Sequence, residues 1–151
     1  MSSQFAPHVT VACVIQREGK FLLVEEFDEA GNRVLNQPAG HLEANESLAD
    51  AAIRETLEET GWRIALTGII GLQLYSPPGL GITFLRISFS ARVTERQGDA
   101  TIDSDIIRSL WLTKEELEER RGQHRSPLVM DSIERYLSSI SAPLSLLDHS
   151  T

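Results

Sequence analysis

Residues 47–61 carry both a start signal and a stop signal for one helix, and this constrains the fold more than any other segment. Ser47 favours the N-terminal cap, Asp50 follows three positions later, and Gly61 can adopt the left-handed conformation that ends a helix. The apolar side of this helix is formed by Leu48, Ala51, Ala52 and Ile53. Any fold of this chain must therefore bury one side of a helix at residues 47–60.

The other segments are mostly strand-like, and turn residues separate them. Strands are predicted at residues 8–16, 21–27, 34–42, 69–75, 82–93 and 106–112. The first two form a hairpin, and Pro38 and Gly40 predict a bend in the third. A short helix is predicted to begin at Thr113, and a final amphipathic helix covers residues 126–139 with Pro127 in its first turn.

This order of elements predicts a single domain spanning residues 1–151. Its class is α+β or α/β, an α-β-α sandwich in which helices cover both faces of a mixed sheet. For the tail at residues 141–151, packing over the core and disorder both stay open.

Charge and composition exclude several classes of function. The formal net charge is −8, from 14 Lys and Arg against 22 Asp and Glu, which argues against a nucleic acid polymer as partner. Apolar runs are broken by Gly, Pro and polar residues, and the start MSSQFAPH lacks signal-peptide features, so a cytoplasmic protein without membrane contact is expected. Cys13 is the only cysteine and is predicted to be a core residue. A monomer and a homodimer are both compatible with the sequence.

Glu55, Glu58 and Glu59 lie at the end of the predicted helix where the helix dipole is negative. Like charges three and four positions apart also repel each other on a helix. A solvated acidic surface is one explanation for this arrangement. The alternative is a divalent cation such as Mg²⁺, which takes carboxylate oxygens as ligands and also allows an acidic protein to bind an anionic substrate.

The spacing of residues 40–62 resembles the Nudix hydrolase box, G-x5-E-x7-R-E-U-x-E-E-x-G-U, where U is a bulky aliphatic residue. The matching positions are Gly40, Glu46, Arg54, Glu55, Glu58, Glu59 and Gly61. Two positions depart from the pattern, since Thr56 and Trp62 occupy the U positions, and Thr56 is expected to weaken packing of the helix. The resemblance implies a Nudix fold and hydrolysis of an organic group linked to a diphosphate.

The same resemblance implies a site for Mg²⁺ or Mn²⁺. Glu55 and Glu59 would be the principal ligands, and Glu58 would be a further ligand or the base. The backbone carbonyl of Ala39 or Gly40 would supply another oxygen. A metal-activated water would attack phosphorus in the substrate.

Further roles follow for residues inside and outside the box. The residues expected to carry catalysis are Glu55, Glu58 and Arg54. Arg54 would orient the carboxylates together with Glu46, although an ordinary surface salt bridge is the alternative. Many Nudix enzymes add an acidic residue shortly before the tryptophan of a W-x-x-x-E-E-L stretch, here WLTKEEL. Asp105 is the predicted additional ligand, in preference to Asp103.

Resemblance outside the box is to the NudJ-type phosphatases of the family, through HVTVACVI, GKFLLVEE, NQPAGHLEANESL, DSDI and RSPLV. It implies small-molecule substrates: nucleoside tri- and diphosphates, or the pyrophosphate of the thiamine pyrimidine precursor. Predicted substrate contacts are Arg86, Arg125, Gln37 and Tyr75. For the two arginines an exposed strand or helix-end position without a substrate role stays open, as does a core or rim position for Tyr75. The alternatives are ADP-ribose, dinucleoside polyphosphates or oxidised nucleotides as substrate, a Nudix domain that binds nucleotides without catalysis, and a structural calcium site.

Overall fold

The computed structural model describes residues 4–150. Within them the elements are β1 (His8–Arg17), β2 (Lys20–Phe27), β3 (Arg33–Asn36), β4 (Ala39–His41), α1 (Leu48–Thr60), β5 (Trp62–Tyr75), β6 (Phe84–Arg96), β7 (Ile106–Leu112), α2 (Lys114–Glu119) and α3 (Leu128–Leu137). Short 3-10 turns cover Arg121–Gln123 and Leu144–Leu146. Among residues 4–150, every helix is too short or too polar to cross a membrane.

The sheet is mixed, as predicted. Strand β1 pairs in parallel with β6 and antiparallel with β4, and β5 pairs antiparallel with β6. Strand β2 pairs antiparallel with β3 and β7. Among the strands within residues 4–150, the two groups are joined only at the hairpin, where Gln16 and Arg17 face Phe21 and Lys20. The sheet therefore opens beyond the hairpin into two arms.

Helices cover both faces of this sheet, which confirms the predicted layers. Successive side chains of a strand point to opposite faces, and β1 supplies residues to two separate cores. The core under α1 includes Val11, Cys13, Ile15, Ala51, Ala52 and Phe89. The core under α2 and α3 includes Val14, Phe21, Leu23, Leu117, Val129 and Ile133. Helix α1 thus lies across the sheet from α3.

Residues 34–42 do not form the single irregular strand that the sequence predicts. They form β3 and β4, which pair with different arms of the sheet. The break falls at Gln37 and Pro38 because proline has no N–H to donate to a ladder, while its carbonyl accepts a hydrogen bond from Cys13. This crossing brings Ala39 and Gly40 beside β1 and under the end of α1.

The strand predicted from residue 69 begins seven positions earlier, at Trp62. Residues 62–66 pair with the far end of β6, directly after Gly61 ends α1. The tail returns to the same strand, because Ile69 and Ala142 exchange backbone hydrogen bonds of 2.9 and 2.8 Å. Leu144 and Leu147 then pack on the core under α1, which resolves the open question in favour of packing. Residues 1–3 and 151 lie outside the described part of the predicted domain.

Candidate active site

Helix α1 has the limits that its end signals predict. The Ser47 hydroxyl accepts a hydrogen bond from the backbone N–H of Asp50 at 3.0 Å. At the other end Gly61 has a φ of 76° and donates its N–H to the carbonyl of Leu57 at 2.9 Å. Glu55, Glu58 and Glu59 therefore occupy the last two turns of a helix that stops directly after them.

Three carboxylates converge beside this helix end. Glu55, Glu58 and Asp103 each offer an oxygen, and these oxygens lie within 4.8 Å of one another. The backbone N–H of Asp103 donates to the carbonyl of Glu58 at 3.0 Å, which holds the loop at residues 97–105 against α1. The sequence favoured Asp105 over Asp103, but the structure places Asp103 in this cluster and leaves Asp105 exposed. The loop turns between the two, since Ile106 donates to the carbonyl of Asp103.

Arg54 organises the cluster. Its Nε and Nη2 atoms donate to the two oxygens of Glu46 at 2.9 and 2.7 Å. Its Nη1 atom donates to Glu55 at 2.8 Å and to Glu58 at 3.2 Å. The hydrogen bonds from Arg54 hold the pKa of Glu46 below its usual range. An isolated surface salt bridge would contact one carboxylate, so these contacts support an orienting role for Arg54.

Glu59 is the most buried carboxylate of the box, with 6% of its surface exposed. The backbone N–H of Ala39 donates to its Oε1 at 2.9 Å. Burial raises the pKa of Glu59 to about 9, and the nearby carboxylates of Glu26, Glu55 and Asp103 act in the same direction. Burial also raises the pKa of Glu55, although Arg54 opposes the change. The site is thus a pocket of carboxylates that repel one another.

Gly40 lies where β4 passes α1. A Cβ atom at this position would overlap the carboxylate of Glu55 in its present position. A larger residue would therefore displace this carboxylate from the cluster. The carbonyl oxygens of Ala39 and Gly40 belong to the same short strand, and their role as ligands stays a prediction.

The residues present fit a divalent cation. Mg²⁺ and Mn²⁺ prefer hard oxygen ligands, and several carboxylates here lie close together at the negative end of a helix. A cation would relieve the repulsion that raises the carboxyl pKa values. A Nudix hydrolase generally uses a divalent metal, and this cluster is a candidate site for one.

Two of the predicted substrate contacts lie inside the protein. Arg86 is 5% exposed and Gln37 is 1% exposed. Arg86 donates to Gln37 Oε1 at 2.5 Å and to Asn36 Oδ1 at 3.2 Å, and Gln37 donates to the carbonyl of Val129 at 2.8 Å. Burial lowers the pKa of Arg86 to about 10. These side chains form a buried hydrogen-bond network with each other, and direct contact with substrate stays a prediction.

The other two predicted contacts lie nearer the surface. Arg125 forms ion pairs with Glu26 and Glu29, the latter at 2.8 Å. Tyr75 is half-buried at the end of β5, opposite Phe84 in the ladder. The structure does not bring Tyr75 to the carboxylate cluster, because β1 and β6 lie between β5 and β4.

Glu26 is a residue that the sequence reasoning missed. It is 7% exposed, and burial raises its pKa while Arg125 opposes the change. It also acts electrostatically on Glu59, so it lies between the carboxylate cluster and Arg125. The sequence contained a signal for this residue, because strand side chains alternate and Glu26 points to the same face of β2 as the buried Leu22 and Val24. An acidic side chain at an inward position of a strand is costly unless it is paired or functional.

Comparison with known proteins agrees with this geometry. Residues 6–132 match the NUDIX domain. The chain is 43% identical over 143 residues to phosphatase NudJ of Shigella boydii serotype 4 (strain Sb227), and equally to phosphatase NudJ of Escherichia coli (strain K12). In both cases 95% of this chain and 92% of the relative are covered.

A solved structure is also similar. The NUDIX hydrolase from Nitrosomonas europaea superposes with a TM-score of 0.93 at 40% sequence identity, covering 96% of this chain and 98% of that one. The similarity therefore extends over the strands and helices on both sides of the box as well as the box itself. Since the domain match and these relatives cover most of the chain, it belongs to the Nudix hydrolase family.

Proposed function

We propose that this Nudix hydrolase is a phosphatase of nucleoside tri- and diphosphates, and of the pyrophosphate of the thiamine pyrimidine precursor, with Mg²⁺ or Mn²⁺ as its cation. The observation that carries the proposal is the convergence of Glu55, Glu58 and Asp103, within 4.8 Å, in a chain 43% identical to phosphatases named NudJ. The substrates are small anions, which a cation at this cluster would attract to an acidic protein.

The ligands of the cation would be oxygens of Glu55, Glu59 and Asp103 and the carbonyl of Ala39 or Gly40, with Glu58 beside them as the base. A bound divalent cation supplies positive charge to the phosphates and activates the attacking water. Arg54 would keep Glu55 and Glu58 turned to the same side, through hydrogen bonds from one nitrogen.

Glu58 would accept the proton of the attacking water at a carboxylate oxygen. Its side chain is 40% exposed, so water can reach it, whereas Glu55 is 13% exposed. The hydrogen bond from Arg54 Nη1 to Glu58 Oε2 leaves Oε1 of the same carboxylate as the proton acceptor. A positioned carboxylate of this kind contributes about 10²- to 10⁴-fold to the rate.

The test is product analysis with Mg²⁺ on a panel of nucleoside di- and triphosphates, the thiamine-precursor pyrophosphate and ADP-ribose. We expect orthophosphate from nucleoside diphosphates, nucleoside triphosphates and the thiamine-precursor pyrophosphate. In Glu58→Gln we expect kcat to fall by about 10²-fold or more. Glu95→Gln is the matched control, since Glu95 is an exposed glutamate on β6.

Other products would change the assignment. Pyrophosphate from triphosphates, or AMP from ADP-ribose, would retain Nudix chemistry and reject the proposed substrates. Absence of turnover with every substrate, together with nucleotide binding, would favour a domain that binds without catalysis. Equal activity of Glu58→Gln and the wild type would remove Glu58 from the reaction.

A further inference from the structure

A cavity of about 340 Å³ adjoins the carboxylate cluster on the side of the loop at residues 97–105. Glu59 and Asp103 form the wall that it shares with the cluster. The other polar lining residues are Arg96, Arg108, Thr60, Ser104 and Ser109. The cavity therefore adjoins the candidate cation site and is lined by two arginines and three hydroxyl residues. Its volume is near the lower end for ligand pockets, which suits a small group.

Arg96 is an exposed residue that lies beside the end of α1. Its Cζ atom is 5.8 Å from the ring centre of Trp62, and the end of its side chain lies against Gly61. Arg96 forms no ion pair with any residue in the range 4–150. Its one side-chain hydrogen bond there is a long one, 3.4 Å, to the carbonyl of Gln97. Within the described residues, the charge of this guanidinium is therefore not paired with a carboxylate.

Arg108 also lines the cavity. Its Nε atom is 3.3 Å from Glu25, and its side chain is 57% exposed. The two terminal nitrogens of its guanidinium stay available for another acceptor. Guanidinium groups bind phosphate oxygens through paired hydrogen bonds, and serine hydroxyls can add further donors.

We propose that this cavity binds the phosphoryl group of the substrate that lies beyond the cation and is released as orthophosphate, with Arg96 as its main contact and Arg108 as the second. The inference rests on the proposed function for the identity of the substrate. A phosphoryl group bound here would explain why Arg96 and Arg108 line the same cavity as the carboxylates of Glu59 and Asp103. The carboxylates would lie toward the cation, and the arginines would bind the phosphoryl group that the cation attracts.

The experiment measures orthophosphate binding by calorimetry in the presence of Mg²⁺, without turnover, and orthophosphate inhibition of hydrolysis. Arg96→Met removes the charge and keeps an unbranched side chain over Trp62. Arg92→Met is the matched control, because Arg92 is an exposed arginine on the same strand outside the cavity. Arg108→Met provides a second variant at the cavity.

We expect the wild type to bind orthophosphate and to be inhibited competitively with substrate. In Arg96→Met the dissociation constant and the KM for nucleoside diphosphate should each rise about tenfold or more, since a charge-assisted hydrogen bond is lost. A smaller rise is expected in Arg108→Met and none in Arg92→Met. The affinity for Mg²⁺, measured separately, should stay unchanged in all three variants.

Two results would overturn the proposal: unchanged orthophosphate binding in both Arg96→Met and Arg108→Met, or inhibition that does not compete with substrate. The second would place the anion outside the substrate path. A wild type that hydrolyses no anhydride would contradict the proposed function instead. The calorimetric comparison of wild type and Arg96→Met would still test the cavity in that case.

Discussion

Arg54 shows how one residue can set the geometry of several others. It contacts Glu43, Glu46, Glu55 and Glu58, and its guanidinium uses all three nitrogens to do so. Lysine offers a single ammonium group and cannot hold one carboxylate in a fork while turning two others. The charge of Arg54 therefore matters less than its shape.

We accordingly expect Arg54→Lys to weaken Mg²⁺ binding and lower kcat by about 10- to 100-fold each, the usual cost of losing a residue that orients ligands. Titration calorimetry and steady-state kinetics measure the two effects. Arg63→Lys is the control, since Arg63 is exposed and its side chain donates to Gln97 alone. Full activity in Arg54→Lys would show that charge alone suffices at this position.

Glu59 links stability to pH in the metal-free protein. Burial raises its pKa from 4.5 to about 9, so between these values the folded state keeps a proton that the unfolded state has lost. The contribution of Glu59 to stability is therefore complete below pH 4.5 and is lost as pH rises through about 9. Across this window the free energy of unfolding falls by at most about 1.4 kcal/mol per pH unit.

Glu59→Gln has no proton to lose and retains an oxygen for the N–H of Ala39. With a chelator present, we expect its advantage in stability over the wild type to grow steadily from about pH 5 to about pH 9. Urea unfolding at several pH values measures the difference. Parallel stability curves for the two proteins would show that Glu59 titrates normally in the folded state.

At the scale of elements, the loop at residues 97–105 determines which acid completes the cluster. Asp103 is fixed by its backbone hydrogen bond to Glu58, whereas Asp105 lies two residues further on and is exposed. We expect Asp103→Asn to weaken Mg²⁺ binding about 10-fold or more, because a charged ligand becomes neutral. Asp105→Asn should change it little.

Calorimetry on the two variants decides between the residue that the sequence favoured and the one that the structure places in the cluster. A larger effect from Asp105→Asn would mean that the loop rearranges when the cation binds. Burial raises the pKa of Asp103, with Asp105 adding to the effect, so both variants should be compared at one pH.

Helix α1 contains Thr56 where the box pattern has a bulky aliphatic residue, and the expected loss of packing stays a prediction. Thr56 is fully buried, and its hydroxyl donates to the carbonyl of Ala52 at 2.9 Å. A threonine can satisfy its hydroxyl in this way inside a helix. The second unusual residue, Trp62, packs edge-to-face with Trp111 and contacts Arg17.

At the scale of the whole molecule, Cys13 reports on global unfolding. It is 1% exposed in the core under α1, and burial raises the pKa of its thiol to about 12. We expect a disulfide reagent near neutral pH to modify Cys13 only after unfolding, since the thiolate is the reactive form. The modification rate should then rise with urea in parallel with loss of circular dichroism.

Protection by Mg²⁺ and nucleotide would extend this prediction, because a ligand that binds the folded state lowers the unfolded fraction. Rapid modification without denaturant, in protein that keeps its circular dichroism, would show local opening between β1 and α1 instead. The burial of Cys13 confirms the sequence prediction that it is a core residue. Local opening would mean that this core unfolds less cooperatively than the burial of Cys13 suggests.

By itself, the sequence determined the helix at residues 47–60, the mixed sheet covered on both faces, and the family. These depend on signals close together in the chain: end caps, alternating apolar residues, and glutamates at fixed spacing on one helix. Arg54 and its carboxylates also lie within residues 43–58, so their contacts were open to prediction.

Only the tertiary structure decided which distant residues join them. Asp103 lies about 40 positions beyond the box and reaches the cluster through the loop at residues 97–105, and Glu26 acts on Glu59 from β2. The tertiary structure also decided that residues 34–42 divide between two arms of the sheet, and that Arg96 lies beside Gly61. Such contacts follow from strand pairing and loop closure across long separations, and local residue patterns carry no measure of those distances.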